Sequence, residues 1–264
     1  MHKNNLKKPS LSIITVVYNG ERYLEQTIKS IINQTYNNIE YIIIDGASTD
    51  GTIDIIKKYE DHIDYWISEP DEGIYDAMNK GIASASNKYL WFVNAGDEIY
   101  KSNVVENIFS AQGYDIYYGH IAPINNNQEV IKIHFAPPKL TFKQMFKGMI
   151  VSHQAIIIRK SLLLEYNLHY QCVADYDWII KALKNTNAIY FTNIVFAKYL
   201  IGGFSNQHFK QCWQERFIIV KEHFSKFYYW ITYYFYFYAI LQQKKIIIYD
   251  YISHKFNNIK KGFK

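Results

Sequence analysis

Apolar residues fall in short unbroken runs through the first hundred positions, separated by stretches where they recur at helical spacing. Leu11-Ser12-Ile13-Ile14-Thr15-Val16-Val17 reads as a buried strand broken by Tyr18-Asn19-Gly20, and a helix follows from about Glu21 to Ile32. Glu40 to Ile44 reads as a second strand ending at Asp45. The turn Gly46-Ala47-Ser48-Thr49-Asp50-Gly51-Thr52 then caps a helix over Ile53 to Tyr59. Ile63 to Ile67 is a short third strand, Ile74 to Ala85 a helix, and Tyr89-Leu90-Trp91-Phe92-Val93 a fourth strand of continuous apolar character. Such alternation predicts right-handed βαβ units and a mostly parallel sheet. Asn94-Ala95-Gly96-Asp97 follows at once, which sets Asp97 just past a strand's carboxyl end, the edge where open α/β sheets bind ligands.

The pattern thins afterwards. A helix is expected over Val104 to Phe109, and a hairpin from Tyr114 to Ile121 and Glu129 to Phe135 around Asn125-Asn126-Asn127, ended by Pro137-Pro138. Ala155 to Ile158 reads as a strand, and Ala174 to about Lys184 as a helix with Asp175 and Asp177 in its first turn, where the helix dipole favours acids. Strands near Ile189 and over Val195 to Leu200 lead into Gly202-Gly203-Phe204-Ser205, a loop before a last globular helix. Phe227 to Leu241 carries no charge, yet it is short and Tyr-rich for a membrane span. Lysines 244, 245, 255, 260, 261 and 264 follow. Aromatic residues beside lysines suit a lipid headgroup boundary, so an interfacial anchor is expected, the alternative being an arm packed on the main domain or on a twin subunit.

Composition narrows this modestly. The 264 residues are 49% hydrophobic and 20% charged, a globular balance, and the formal charge of +5 is too small to argue for nucleic acid. Cys172 and Cys212 make no metal or disulfide framework and read as buried thiols of a reducing compartment. The opening MHKNNLKKPS has no apolar core of a secretory signal, so a cytoplasmic location is expected. Neither GxGxxG nor GxxxxGK[ST] occurs, so a nucleotide would be bound by other means.

Four motifs in register carry a resemblance: Ser12-Ile13-Ile14-Thr15-Val16-Val17-Tyr18-Asn19, Asp45-Gly46-Ala47-Ser48-Thr49-Asp50-Gly51-Thr52, Ser68 through Gly81, and Asn94-Ala95-Gly96-Asp97. Together they resemble family-two glycosyltransferases, in particular bacterial enzymes of exopolysaccharide, capsule and O-antigen synthesis. The resemblance is dense over residues 10–100 and extends to about 205. It implies a GT-A fold over 11–205, with a nucleotide-binding half (about 11–100) and an acceptor half (about 101–205), between a tail at 1–10 and a helical, membrane-associating extension at 206–264. It also implies a nucleotide-sugar donor held by Val17, Tyr18, Asn19, Asp45, Gly73, Asp76, Asn79, Lys80, Asn94 and Gly96, with Asp45 matching the residue that reads the nucleobase. A divalent metal, Mg²⁺ or Mn²⁺, would sit on Asp97, and Asp175 matches the catalytic base. Gly96 stands where an aspartate is commoner and Ala174 where a glutamate commonly precedes the base. Met78 stands where many relatives carry arginine, which leaves the diphosphate to Lys80 or the metal. No QxxRW motif appears, so a single addition is expected rather than polymerisation.

Glycosyl transfer needs the leaving diphosphate neutralised, which a hard cation with oxygen ligands does, and a base for the acceptor hydroxyl. Asp97 and Asp175 supply these, and direct attack inverts the anomeric carbon. Structural readings stand beside the functional ones. Asp45 could cap its loop, Asp97 a turn, and Asp175 and Asp177 a helix, while His153 is equally a satisfied loop histidine or, with Asp177, an acceptor-side contact. The expectation is therefore an inverting transferase at the inner membrane face, moving one sugar from a UDP- or dTDP-type donor to a lipid-linked saccharide. A homodimer is left open. The rival readings are a non-catalytic nucleotide-sugar-binding scaffold and a sugar nucleotidyltransferase.

Overall fold

The computed structural model describes residues 8–125, 127–201 and 208–240. Its centre is an eight-stranded sheet in the order β3-β2-β1-β4-β7-β6-β8-β5. The strands are β1 Leu11–Val17, β2 Ile39–Asp45, β3 Tyr65–Ser68, β4 Tyr89–Phe92, β5 Glu98–Ile99, β6 Ile116–Ile124, β7 Ile156–Arg159 and β8 Ile189–Leu200. The helices are α1 Leu24–Ile32, α2 Thr52–Lys58, α3 Ile74–Ser84, α4 Val104–Ile108, α5 Ala174–Lys184 and α6 Phe209–His223, and residues 226–240 form a further helix, α7.

The first four strands are parallel, as expected. Along β1 the side chains alternate between two cores: Ile14 and Val16 join one with α3 and α5, and Leu11, Ile13 and Val17 the other with α1 and α4. A strand buried on both faces cannot show polar alternation, which is why β1, β2 and β4 stand out as solid apolar runs. The chain walks outward from β1 to β3, then returns to the other side of β1 with β4. That reversal opens a crevice at the carboxyl ends of β1 and β4.

Beyond β4 the sheet turns mixed: β7 is antiparallel to β4 and β6, while β6 and β8 are parallel. Two expectations change here. The second arm of the hairpin, Glu129 to Phe135, does not form a strand; it touches β6 only through the bridges Ile121–His134 and Ile124–Val130. Val130, Ile131 and Phe135 stay exposed among the described residues, so no fully buried face drives a full ladder. The two strands expected near Ile189 and Val195 are one strand, bent where Asn193 takes φ +56° and the register with β6 slips. β5, two residues long, is too short for any periodicity to reveal. The loop at 202–205 lies outside the described residues.

α7 packs one face on the main domain. Tyr228 lies against Phe146 (4.6 Å between ring centroids), Tyr229 against Phe217 (5.6 Å) and Tyr236 against Trp213 (5.3 Å), and buried Thr232 donates to the Phe146 carbonyl. Its opposite face is exposed. No helix among the described residues is long and apolar enough to cross a membrane.

Candidate active site

The crevice is built from loops that bond to each other before they could bond to a ligand. Asn19, at φ +49°, donates its N–H to Ser48 Oγ (2.7 Å) and accepts from the Thr49 N–H (2.9 Å). Val17 ends β1 buried, and its carbonyl accepts from the Gly46 N–H, while Tyr18 is 66% exposed above the same loop. Asp45 is fully buried. Its carboxylate accepts from the Ser48 N–H (2.9 Å), the Ser48 hydroxyl (2.5 Å) and the Ser68 hydroxyl (2.6 Å), so it caps its loop.

The next motif is likewise engaged. Gly73, at φ +119°, enters α3 in a conformation only glycine takes without strain. Asp76 accepts from the Glu72 N–H and lies 3.5 Å from Lys80. Lys80 Nζ is 2.9 Å from Glu69 and donates to the Pro70 carbonyl (2.8 Å), so it is paired within this loop. Asn79 spends both ends of its amide on the backbone of Tyr166, accepting at 2.6 Å and donating at 3.0 Å. It ties α3 to the segment around Tyr166. Met78, buried in the core, is a packing residue.

Past β4 four polar side chains converge. His153 Nδ1 lies 3.0 Å from Asp175 Oδ2, and its Nε2 lies 3.4 Å from Asn94 Nδ2. Asn94 donating to Nε2 leaves the proton on Nδ1, which then donates to Asp175. Asp175 Oδ1 also accepts from Tyr75 Oη at 3.4 Å and from the Tyr176 N–H at 2.9 Å. Asp97, 7% exposed, shares this environment. Burial pushes its carboxyl from 3.8 up to about 6, against the opposing pull of His153 and Gln154. Burial alone would lower the His153 pKa, but the bond to Asp175 and the charges of Asp175 and Asp97 outweigh it and raise the value. Asn94 Oδ1 is buried with no hydrogen-bond partner. Gly96, at φ +99°, turns the loop so that its N–H and the Asp97 carbonyl both bond to Thr27.

Asp177 stands apart. Two residues from Asp175 on a helix, it points to a different face, where its carboxylate meets Lys181 (2.6 Å) and His223 (2.5 Å). Burial raises its pKa, and those bonds outweigh burial and hold it low. Asp177, Glu222 and His223 bring ligand atoms within 4.8 Å of one another, but Lys181 and Lys184 already hold Asp177 and His223, so the trio is a latch between α5 and α6 and does not suit a cation.

One residue of the site environment shows no motif. Glu215 on α6 accepts from the N–H groups of Gln171 (3.0 Å), Cys172 (2.9 Å) and Val173 (3.2 Å), fixing the entry to α5 and hence Asp175.

The chain is similar to known proteins in sequence and fold. Residues 12–166 match the model of the family described as glycosyl transferase family 2. An uncharacterized glycosyltransferase of Mycobacterium tuberculosis is 33% identical over 180 residues, 66% of this chain and 69% of that protein. A PGL/p-HBAD biosynthesis glycosyltransferase of Mycobacterium bovis is 30% identical over 210 residues, covering 75% and 80%. A putative teichuronic acid biosynthesis glycosyltransferase of Bacillus subtilis is 30% identical over 163 residues, covering 57% and 62%. Among solved structures, S. aureus TarS 1–349 in complex with UDP superposes with a TM-score of 0.63 at 19% identity, covering 80% of this chain and 65% of that one. A mannosyltransferase of Pyrobaculum calidifontis with GDP-Man and Mn²⁺ gives 0.60 at 13%, covering 82% and 64%. With its sheet reversal, its GT-A-like fold and the family match over more than half its length, the chain belongs to glycosyl transferase family 2.

Proposed function

We propose that this protein is an inverting glycosyltransferase of cell-surface polysaccharide synthesis, moving one sugar from a UDP- or dTDP-type donor to a lipid-linked saccharide. The observation that carries the reading is the convergence of Asn94, Asp97, His153 and Asp175 at the carboxyl end of β4 in a family-two chain. Relatives named for teichuronic acid and PGL/p-HBAD biosynthesis support the setting, and a structural neighbour bound to UDP supports the donor class.

In the proposed reaction Asp175 accepts the proton of an acceptor hydroxyl as that oxygen attacks the anomeric carbon. The bond from that carbon to the diphosphate breaks, and the nucleoside diphosphate leaves. His153 holds Asp175 in place through Nδ1, and Tyr75 steadies its other oxygen. The Asp97 carboxylate and the unpartnered Asn94 Oδ1 are hard oxygen donors and fit a divalent cation, which when bound neutralises charge on the diphosphate. Asp45 reads an imide N–H of the base only if the Ser48 or Ser68 hydroxyl turns away.

Thermal shift with nucleoside diphosphates, with and without Mn²⁺, is the first test. A metal-dependent rise with UDP or dTDP that disappears in Asp97→Ala is expected. Asp175→Asn should keep that rise and lose turnover by ~10²-fold or more. A folded protein unmoved by any nucleotide would instead favour a scaffold.

A further inference from the structure

Trp213 and Arg216, three residues apart on α6, share a helix face, and the guanidinium lies 4.3 Å from the Trp213 ring centroid. That face looks into a cavity of about 270 Å³ whose walls include Met149, Cys172, Asp175, Tyr176, Trp213 and Arg216. A cation and the proposed base therefore line one space. Gly148, at φ +118°, makes the room: a Cβ there would fall 2.8 Å from Arg216 Nη2.

The cation is underused. Arginine carries five N–H donors. Among the described residues its hydrogen-bond partners are the Tyr176 phenol and, at 3.4 Å from Nη2, the Phe146 carbonyl; its Nε is buried with no partner, and no ion pair with a carboxylate is formed. Arg216 is half-buried, and burial pulls its pKa below the ordinary arginine value against the opposing pull of Tyr176. A buried charge without a counter-charge is destabilising, and an anionic ligand relieves it.

We propose that this cavity is an acceptor-side anion subsite in which Arg216 takes the phosphate that joins the acceptor sugar to its lipid. The inference rests on the transferase reading above and deepens it by placing the acceptor's linking group. Asp175 in the same cavity is then within reach of the sugar hydroxyl. From Trp213 the aromatic wall continues to Tyr236 (5.3 Å), and from Phe217 to Tyr233 (6.0 Å), which is half exposed on α7. A lipid chain leaving the phosphate meets an apolar path to the outside.

The test is calorimetric titration of the full chain, saturated with UDP and Mg²⁺ so that the donor side is filled. The probes are inorganic phosphate and farnesyl phosphate. The native chain should bind both, farnesyl phosphate more tightly. Arg216→Gln should weaken both by about tenfold or more, and Arg216→Lys by less, since one ammonium replaces part of the fork. UDP affinity should be unchanged in both variants, which also reports that they are folded. Equal phosphate affinity in the native chain and R216Q would overturn the subsite, and equal affinity for the two probes would strike out the lipid link. Should UDP fail to bind at all, the donor reading falls, while the dependence of phosphate binding on Arg216 still decides this proposal.

Discussion

Asp97 is an acid held where its charge is disfavoured. Its carboxyl titrates near 6 in the fold against 3.8 outside it, because burial outweighs the help of His153 and Gln154. A carboxyl whose pKa is raised by folding supports the fold while neutral, below about pH 4, and that support is lost as pH rises through about 6. The shift corresponds to on the order of 2–3 kcal/mol. In chelator-treated protein, denaturant unfolding at pH 4.5 and pH 8 should show the native chain losing roughly 2 kcal/mol relative to Asp97→Asn across that range. A divalent cation should raise stability more at pH 8 than at pH 5, since it competes with the proton for the same oxygens. A pH profile identical in the native chain and D97N would show that Asp97 is ionised without penalty.

At the scale of elements, the site is an agreement between pieces far apart in the chain. Each acid was placed singly from the sequence: Asp97 just past a five-residue apolar run at a sheet edge, and Asp175 in a first helical turn, with its role as base implied only by the family resemblance. Their meeting was not, because it depends on β7 running antiparallel beside β4. The Trp91 indole N–H donates to the Gln154 carbonyl and draws the turn carrying His153 against the end of β4. No spacing in the sequence encodes that pairing, so His153 stood between two readings. Lys80 and Asn79 show the converse: their motif is recognisable, while the structure engages them with Glu69, Pro70 and the Tyr166 backbone, partners no spacing reveals. Glu215 was invisible because its partners are backbone N–H groups 42 to 44 residues earlier. Three charge-assisted bonds at the start of α5 make it a structural acid with a functional consequence. Glu215→Gln should cost about 1–3 kcal/mol in denaturant unfolding and slow transfer, because Asp175 sits on the turn that Glu215 anchors. Unchanged stability in E215Q would mean that the helix entry holds itself.

For the whole molecule the open question is which way it faces its acceptor. α7 buries Thr232 and packs Tyr228 and Tyr229, half-buried, against the body, and it leaves Phe227, Trp230, Tyr234 and Phe237 between 56% and 68% exposed. These outward residues recur at helical spacing, so they form a stripe rather than a scatter. Six lysines follow in the sequence after residue 240. Apolar rings with phenol and indole edges, followed by positive charge, match the boundary of an anionic bilayer better than a protein surface. The same stripe adjoins, through Tyr233 and Tyr236, the aromatic wall leading to the cavity of Asp175 and Arg216. Membrane contact and acceptor delivery would then use one side of the molecule. Replacing Trp230 and Phe237 together by serine should weaken binding to phosphatidylglycerol vesicles in co-sedimentation by about thirtyfold, at on the order of 1 kcal/mol per ring. The unfolding midpoint should stay where it is, because neither side chain is buried. Binding should also weaken with salt, as lysine attraction to anionic lipid is screened. If the stripe instead meets a second copy, sedimentation velocity without lipid will show a dimer that the double substitution dissolves, and vesicle binding will not follow the aromatic residues at all.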